Sequence, residues 1–117
     1  MRALIIPFFL VLIAAPGCRV PTPDEQNTVT VEIVLEEIRE GSSYDVVLET
    51  ADGDASYYIN RGLQYGVDLK EWKRELTGKT ILLTYVRTPA ISLLGARPVA
   101  RVADADSIWW DWHRDYQ

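Results

Sequence analysis

Residues 28–38 (TVTVEIVLEEI) alternate apolar and polar side chains almost without interruption, and this pattern restricts the possible folds more than any other feature of the chain. Neighbouring side chains of a β-strand point to opposite faces, so the alternation predicts a strand with one buried face. Residues 44–50 (YDVVLET) alternate in the same way, and residues 55–60 (ASYYIN) predict a third strand. Asp52-Gly53 precedes the third strand and predicts a hairpin with a type I′ turn, which needs positive φ at both central residues. We assign to the core face of these strands Val29, Val31, Ile33, Leu35, Tyr44, Val46, Leu48, Tyr57 and Ile59.

A short helix is predicted after the third strand, over Leu69 to Thr77. Asp68 precedes it in a capping-box pattern with Glu71, and Gly78 is placed to end it in a left-handed conformation. The helix presents one apolar face at helical spacing, formed by Leu69, Trp72 and Leu76.

Two further strands are predicted after the helix. Residues 80–86 (TILLTYV) are apolar on both faces, which predicts a strand that is covered on both sides. Thr88-Pro89 interrupts this pattern, and residues 90–98 predict a loop because they contain a Gly and a Pro. Val99 to Ala103 then predicts a fifth, short strand.

The order of three strands, one helix and two strands resembles the OB-fold, a five-stranded barrel with its helix between the third and fourth strands. The resemblance covers residues 28–104 and rests on topology. It implies a mainly β domain with one short helix, closed into a small OB-like barrel without exposed sheet edges. An open α+β antiparallel sheet is the alternative. Proteins of this fold often bind oligonucleotides or sugars on the face of strands two and three, where this chain offers Tyr44, Tyr57 and Tyr58.

The first 17 residues differ in composition from the rest, since they contain 13 apolar residues, including the single Met and both Phe. Met1-Arg2 is a short positive region. Ala3 to Ala15 is an apolar run that is too short to span a bilayer, which takes about 20 residues, and it is typical of a signal peptide. Pro16-Gly17 and the only cysteine of the chain, Cys18, follow directly.

This arrangement resembles the lipobox of bacterial lipoproteins, in which small residues precede a cysteine that becomes the mature N-terminus. The resemblance covers residues 1–18. It implies that residues 1–17 are removed and that Cys18 carries a diacylglycerol thioether and an amide-linked acyl chain such as palmitate. In this family an Asp after the cysteine favours the inner membrane. Here Arg19-Val20 follow, which favours the outer membrane facing the periplasm where the cell has one, and the cell membrane otherwise.

Residues 18–27 are expected to be the lipidated cysteine and an extended tether, because residues 19–27 contain two Pro and show no apolar periodicity. The formal charge of −5 becomes −6 when the leader with its single Arg is removed. An exported chain of this charge is poorly suited to phosphate backbones, so nucleic acid is not an expected partner.

Residues 105–117 are predicted to form an aromatic tail beyond the domain, with three Trp and one Tyr within eight residues. Periodicity does not decide between helix and strand for this segment. Its rings either close one end of the barrel and pack on its sheet, or form an exposed patch that binds a protein or stacks on sugar rings. The candidate binding residues are Trp109, Trp110, Trp112 and Tyr116, followed by Tyr57 and Tyr58.

Catalytic machinery is not indicated, because the sequence has no nucleophile elbow, no phosphate loop and no zinc-ligand spacing. Asp111, His113 and Asp115 alternate, but three residues of one strand rarely converge on one ion, and a solvated polar face is expected. We therefore expect no catalytic residues, no metal and no cofactor. The sequence predicts a membrane-anchored envelope lipoprotein that acts as a non-enzymatic binding or interaction module, with an envelope protein or glycan as partner. The alternative is a structural or accessory subunit of an envelope complex with no ligand of its own.

Overall fold

The computed structural model describes residues 20–53, 55–87 and 96–116. Cys18 and the predicted leader, residues 1–17, lie outside the described residues, so the predicted lipidation site has no structural description. The strands are β1 (Thr28–Glu40), β2 (Val46–Thr50), β3 (Ser56–Ile59), β4 (Thr80–Val86), β5 (Ala96–Ala103) and β6 (Ile108–Asp111). The α-helices are α1 (Leu69–Leu76) and α2 (Trp112–Asp115), and short 3-10 turns lie at Ser42–Tyr44 and Gly62–Gln64.

Five of the strands close into a barrel, which confirms the predicted OB-like fold class. β1 pairs antiparallel with both β2 and β4, and β2 pairs antiparallel with β3. The ring is completed by β5, which pairs antiparallel with β4 and parallel with β3. α1 joins β3 to β4, as the resemblance implies. The alternative of an open sheet is therefore wrong.

β1 takes part in both halves of the barrel because a bulge changes its register. Its first half, as far as Val34, pairs with β4, and its second half pairs with β2. The register shifts between Leu35 and Glu37. One extra residue reverses which side chains point inward, so that Leu35 and Ile38 are both buried although they are three positions apart.

The core consists of aliphatic side chains from all five barrel strands, with two side chains of α1 packed against them. The strand residues are Leu35, Ile38, Val46, Leu48, Ile59, Ile81, Leu83, Val99 and Val102, and the helix residues are Trp72 and Leu76. Asp68 Oδ1 accepts a hydrogen bond from the Glu71 N–H at 3.1 Å, which confirms the predicted N-cap. Gly78 has φ 82°, the left-handed conformation predicted for the end of the helix.

The connections around β2 differ from the sequence prediction. β2 begins at Val46, because Ser43 and Tyr44 adopt left-handed backbone conformations with φ 55° and 66°. Tyr44 is consequently 54% exposed and not on the core face. The hairpin from β2 to β3 is confirmed, but the type I′ turn is not formed, since Gly53 has positive φ and Asp52 does not.

Two strand predictions on the other side of the barrel also change. β5 begins at Ala96 and not at Val99, because Ala96–Pro98 pair in parallel with β3 and thereby close the barrel. The prediction that β4 is covered on both sides is wrong: Leu83 is fully buried, whereas Leu82 is 46% exposed on the outer face.

The segments predicted to lie outside the domain are folded onto it at both ends. Residues 108–111, which lie in the predicted aromatic tail, form β6 and pair with β5. On the N-terminal side, Pro23 is buried, and the Arg87 N–H donates to the Asn27 carbonyl at 2.7 Å, which continues the pairing of β1 with β4 into the predicted tether. Among the described residues no helix is long and apolar enough to cross a bilayer.

Candidate functional site

The central ring of the aromatic tail fills part of the barrel core. Trp110 lies on β6 opposite Val102 of β5 and is 0% exposed. A buried indole needs an acceptor for its N–H, and Trp110 Nε1 donates to the Tyr65 carbonyl at 3.0 Å. Trp110 is therefore a core residue with its polar group satisfied, and it cannot contact a partner from the surface.

Helix α2 turns the chain back toward the ring of Trp110. Asp111 caps the helix by accepting from the His113 N–H at 2.9 Å, and Asp115 accepts from the Asp111 N–H at 2.8 Å. Tyr116 follows the helix and packs edge-on against three rings at centroid distances of 4.7 to 4.8 Å. We call the four rings of this group the aromatic cluster: Tyr65, Trp110, Trp112 and Tyr116.

The hydroxyl of Tyr116 ties the tail to the end of β3 by donating to the Asn60 carbonyl. Burial raises the pKa of Tyr116, and the nearby Asp45 carboxylate raises it further. Both effects keep the hydroxyl protonated, so it remains a donor throughout the neutral range.

Trp109 fixes the turn between β5 and β6 to helix α1. Its Nε1 donates to Asp104 Oδ2 at 2.9 Å, and its ring packs edge-on against Trp72 at 6.3 Å. Asp104 Oδ1 also accepts from the N–H groups of Asp106 and Ser107, each at 2.8 Å. These hydrogen bonds, with that from Trp109 the strongest influence, lower the pKa of Asp104.

The structure therefore divides the predicted binding residues. Trp110 and Tyr57 are core residues, since they are 0% and 3% exposed. Neither can be part of a binding surface. Trp109, Trp112 and Tyr116 are half-buried and packed against the core. Of the two interpretations of the tail, packing on the barrel is the one that the geometry favours.

Tyr58, the remaining candidate, lies in a groove of about 340 Å³ on the outer side of the barrel. We call this the outer groove, and its lining includes Arg39, Ser42, Asp45, Val47, Tyr58 and Ala96. Arg39 lies opposite Val47, and Val47 lies opposite Tyr58, so these side chains form one row across β1, β2 and β3. This is the strand-two and strand-three face on which the OB resemblance places a ligand.

The structure fixes the protonation of Tyr58 and the position of Asp45 in the outer groove. Burial, and then the Asp45 carboxylate, raise the pKa of Tyr58, so its hydroxyl stays protonated. Asp45 Oδ1 accepts from the Arg61 N–H at 2.9 Å, which fixes the carboxylate at one side of the groove. Arg39 lies 3.7 Å from Glu49, but both side chains are solvated and the pair is weak. The groove thus offers an apolar strip with a hydroxyl, a carboxylate and a guanidinium beside it.

The loop next to the outer groove displays an aromatic ring on a strained backbone. Gly41 N–H donates to the Asp45 carbonyl at 2.8 Å, and Asp45 N–H donates to the Ser42 carbonyl at 3.0 Å, so the loop closes on itself. Between these contacts, Ser43 and Tyr44 have positive φ, which residues with a side chain rarely adopt. Strained backbone of this kind occurs often at ligand contacts.

Tyr57 of β3 forms a cluster with the ring of Tyr85 on β4 and the guanidinium of Arg97 on β5. The Arg97 guanidinium carbon lies 5.0 Å from the Tyr85 ring centroid and 5.9 Å from that of Tyr57. Burial raises the pKa of Tyr57, while Arg97 opposes this shift. Sequence reasoning missed Arg97, because it falls in a segment predicted to be a loop.

Asp111, His113 and Asp115 do not form a metal site. Asp111 lies 3.7 Å from Arg101, and Asp115 lies 2.9 Å from Arg114. Within residues 20–53, 55–87 and 96–116, no group of three or more His, Cys, Asp or Glu side chains could hold a metal ion.

Sequence reasoning also missed Val47 and Asp45 as residues of the outer groove. The signal was present for Val47, since it alternates with the core residues Val46 and Leu48 and so had to face outward. The position of Asp45 depends on the loop conformation, which the sequence pattern did not indicate.

Comparison of the chain with protein-family models, curated proteins and solved structures gives no match.

Proposed function

We propose that this chain is a lipoprotein of the bacterial cell envelope, anchored through an acylated Cys18, and that its OB-like domain is a non-enzymatic binding module. The observation that carries the binding role is the outer groove, which places Tyr58 and Val47 in a concave surface, and the exposed Tyr44 lies in the loop between its lining residues Ser42 and Asp45. The anchor is supported by the lipobox resemblance of residues 1–18. Placement in the outer membrane, facing the periplasm, is part of the proposal for a cell that has one.

The outer groove is a better contact surface than the aromatic cluster. The rings of the cluster are packed against one another, and the polar groups of Trp110 and Tyr116 already bond to main-chain carbonyls. A partner would have to displace these contacts. By contrast, Tyr44 is mostly exposed, and Val47 and Tyr58 are accessible from solvent without any rearrangement.

The chemistry of the outer groove limits its partner. Val47 and Ala96 give an apolar floor for an aliphatic side chain, and aromatic rings also stack on sugars. The Asp45 carboxylate and the Arg39 guanidinium both line the groove, and the chain as a whole is acidic, so strongly anionic ligands are disfavoured. We propose a neutral or basic segment of an envelope protein as the partner, with an envelope glycan as the alternative ligand.

A structural or accessory role in an envelope complex is the second candidate function. The burial of Trp110 favours it, because a tail that could have formed an exposed aromatic patch instead completes the core. In that case the barrel would hold its neighbours apart and the outer groove would bind nothing.

The anchor is tested by metabolic labelling with palmitate and by the intact mass of the protein from the membrane fraction. We expect label in the unmodified chain and none in Cys18→Ser, because the thioether forms on the cysteine sulfur. Export of an unlabelled wild-type chain would contradict the anchor.

The binding role is tested by site-specific photo-crosslinking in intact cells. A photo-reactive phenylalanine analogue replaces Tyr44 beside the outer groove, and in a matched control it replaces Leu82, which is 46% exposed on the outer face of β4. We expect a discrete adduct from position 44 and none from position 82. Adducts at neither position would favour the second candidate function, and a band that is sensitive to glycosidase would identify a glycan partner.

A further inference from the structure

Residues 22–28, at the end of the segment predicted to be an extended tether, form a folded turn. Asp24 Oδ1 accepts from the N–H groups of Gln26 at 2.8 Å and Asn27 at 2.9 Å. Asn27 reciprocates, since its Oδ1 accepts from the Asp24 N–H at 2.8 Å and its Nδ2 donates to the Thr22 carbonyl at 3.0 Å. The Thr28 hydroxyl donates to the Asp24 carbonyl at 2.7 Å. Five side-chain hydrogen bonds therefore fix residues 22–28.

This turn is also bound to the domain. Pro23 is buried, and its carbonyl accepts a hydrogen bond from His113 Nε2 of α2 at 3.2 Å. Arg87, which follows β4, donates from its main chain to the Asn27 carbonyl at 2.7 Å and from Nη2 to the Gln26 carbonyl at 3.4 Å. The turn is thus held from both β4 and α2, and it moves with the barrel as one body.

The folded turn shortens the free connection to the membrane. An extended chain spans at most about 3.5 Å per residue, so an extended segment from Cys18 to Thr28 would reach about 35 Å. With the turn docked, only the stretch from Cys18 to Thr22 separates the acyl anchor from the turn, and it spans at most about 14 Å.

We propose that the domain is seated on the bilayer with one defined face toward the lipid headgroups, an inference that rests on the proposed acylation of Cys18. The short connection keeps Thr22 within about 14 Å of the anchored sulfur, so the surface surrounding residue 22 stays next to the membrane. We call this the tether face, and its exposed residues are Pro21, Thr22, Asp24, Glu25, Arg101 and His113.

The charges of the tether face permit this contact. The tether and α2 with its cap contribute four of the 17 acidic residues of the chain, and two of those four are neutralised by arginines. Asp111 lies 3.7 Å from Arg101, and Asp115 lies 2.9 Å from Arg114. Most of the other acidic residues of the chain lie outside the tether and α2, so they do not contact the lipid headgroups. Zwitterionic lipid is therefore the surface that this face fits.

The opposite end of the barrel lies far enough away to provide a control. Thr28 pairs with Val86 beside the turn, and Val34 pairs with Thr80 six residues further along β1. Six residues of a strand span about 20 Å. Lys79, next to Thr80 and exposed, therefore marks the end that should point away from the membrane.

The test measures how close each end comes to the lipid. Glu25→Cys and Lys79→Cys are made in the mature acylated chain, where the Cys18 sulfur is blocked as a thioether, and each is labelled with a fluorophore. The proteins are reconstituted into vesicles of phosphatidylethanolamine and phosphatidylcholine that carry nitroxide-labelled headgroups. We expect the probe at position 25 to lose most of its fluorescence and the probe at position 79 to keep most of it. Equal quenching at the two positions would overturn the seating.

A lengthened tether separates the seating from simple anchoring. Insertion of ten Gly and Ser residues between Pro21 and Thr22 keeps the acyl anchor and the docked turn but releases the barrel from the surface. We expect quenching at position 25 to fall to the level at position 79, with an unchanged circular dichroism spectrum. Unchanged quenching after insertion would contradict the short tether as its cause. Intact mass distinguishes the two proposals, because a chain without acyl groups contradicts the anchor, whereas an acylated chain with equal quenching contradicts only the seating.

Discussion

Replacement of Trp110 by Ala should remove a large share of the stability of the domain. The side chain is 0% exposed, so its loss leaves a cavity in the core, and substitutions of buried Trp by Ala typically cost about 3 to 5 kcal/mol. The Tyr65 carbonyl also loses its donor at 3.0 Å, which places the expected cost in the upper part of this range. Small domains have a total stability of about 5 to 15 kcal/mol, so the variant should be close to unfolding.

The assay is urea unfolding of residues 20–117 followed by far-ultraviolet circular dichroism, together with thermal unfolding. Each kcal/mol corresponds to about 4 to 8 °C in Tm for a domain of this size, so the melting temperature should fall by at least about 12 °C. Ile108→Ala is the matched control, since Ile108 lies on the same strand and is exposed, and it should cost about 0.5 kcal/mol or less. A loss below about 1 kcal/mol for Trp110→Ala, or a loss equal to that of the control, would refute the assignment of the tail to the core.

Three further predictions concern the ends of α1 and the tail. Asp68→Ala removes the N-cap of α1 and should lower the free energy of unfolding by about 1 kcal/mol in urea titrations, whereas Lys70→Ala should leave it unchanged. Gly78→Ala forces a side chain into φ 82° and should cost about 1 kcal/mol in the same assay; an unaffected midpoint would show that the cap is not strained. The raised pKa of Tyr116 means that its stabilising effect is complete below the unfolded pKa near 10 and is lost as the pH rises beyond it. Stability should therefore fall above pH 10 in the wild type and fall less in Tyr116→Phe, and parallel pH profiles would contradict this.

The elements that the sequence predicts correctly are those whose signals are local. The alternation in residues 28–35 and the cap at Asp68 report side-chain periodicity and one turn of backbone, so they do not depend on distant partners. The order of these elements was sufficient to predict a closed barrel. The bulge in β1 was not predicted, because it depends on which strand pairs with each half.

The parts that sequence reasoning missed depend on contacts between distant segments. Ala96–Pro98 becomes a strand only through its parallel pairing with β3, about 40 residues earlier in the chain. The tail becomes a strand by pairing with β5, and periodicity alone could not place its rings. The predicted tether contains two Pro and reads as extended, yet Asp24 and Asn27 bond to each other and fold it.

In the candidate site, too, the sequence predicted local features and missed those that depend on the tertiary structure. Tyr58 was predicted on the face of strands two and three, and it lies in the outer groove. Trp110 was a candidate because the tail is unusually rich in aromatic residues. Composition alone does not distinguish a ring that binds a partner from a ring that packs in the core. Tyr44 was expected in the core, and only the left-handed turn exposes it.

The proposed role of the outer groove as the contact surface of an envelope binding module is tested by the crosslinking yield from position 44 in two further backgrounds. Tyr58→Ser removes an aromatic ring from the lining of the groove, and Trp112→Ala alters the aromatic cluster. We expect the adduct to be lost in the first background and retained in the second. An adduct that persists with Tyr58→Ser and disappears with Trp112→Ala would contradict the claim and assign binding to the aromatic cluster.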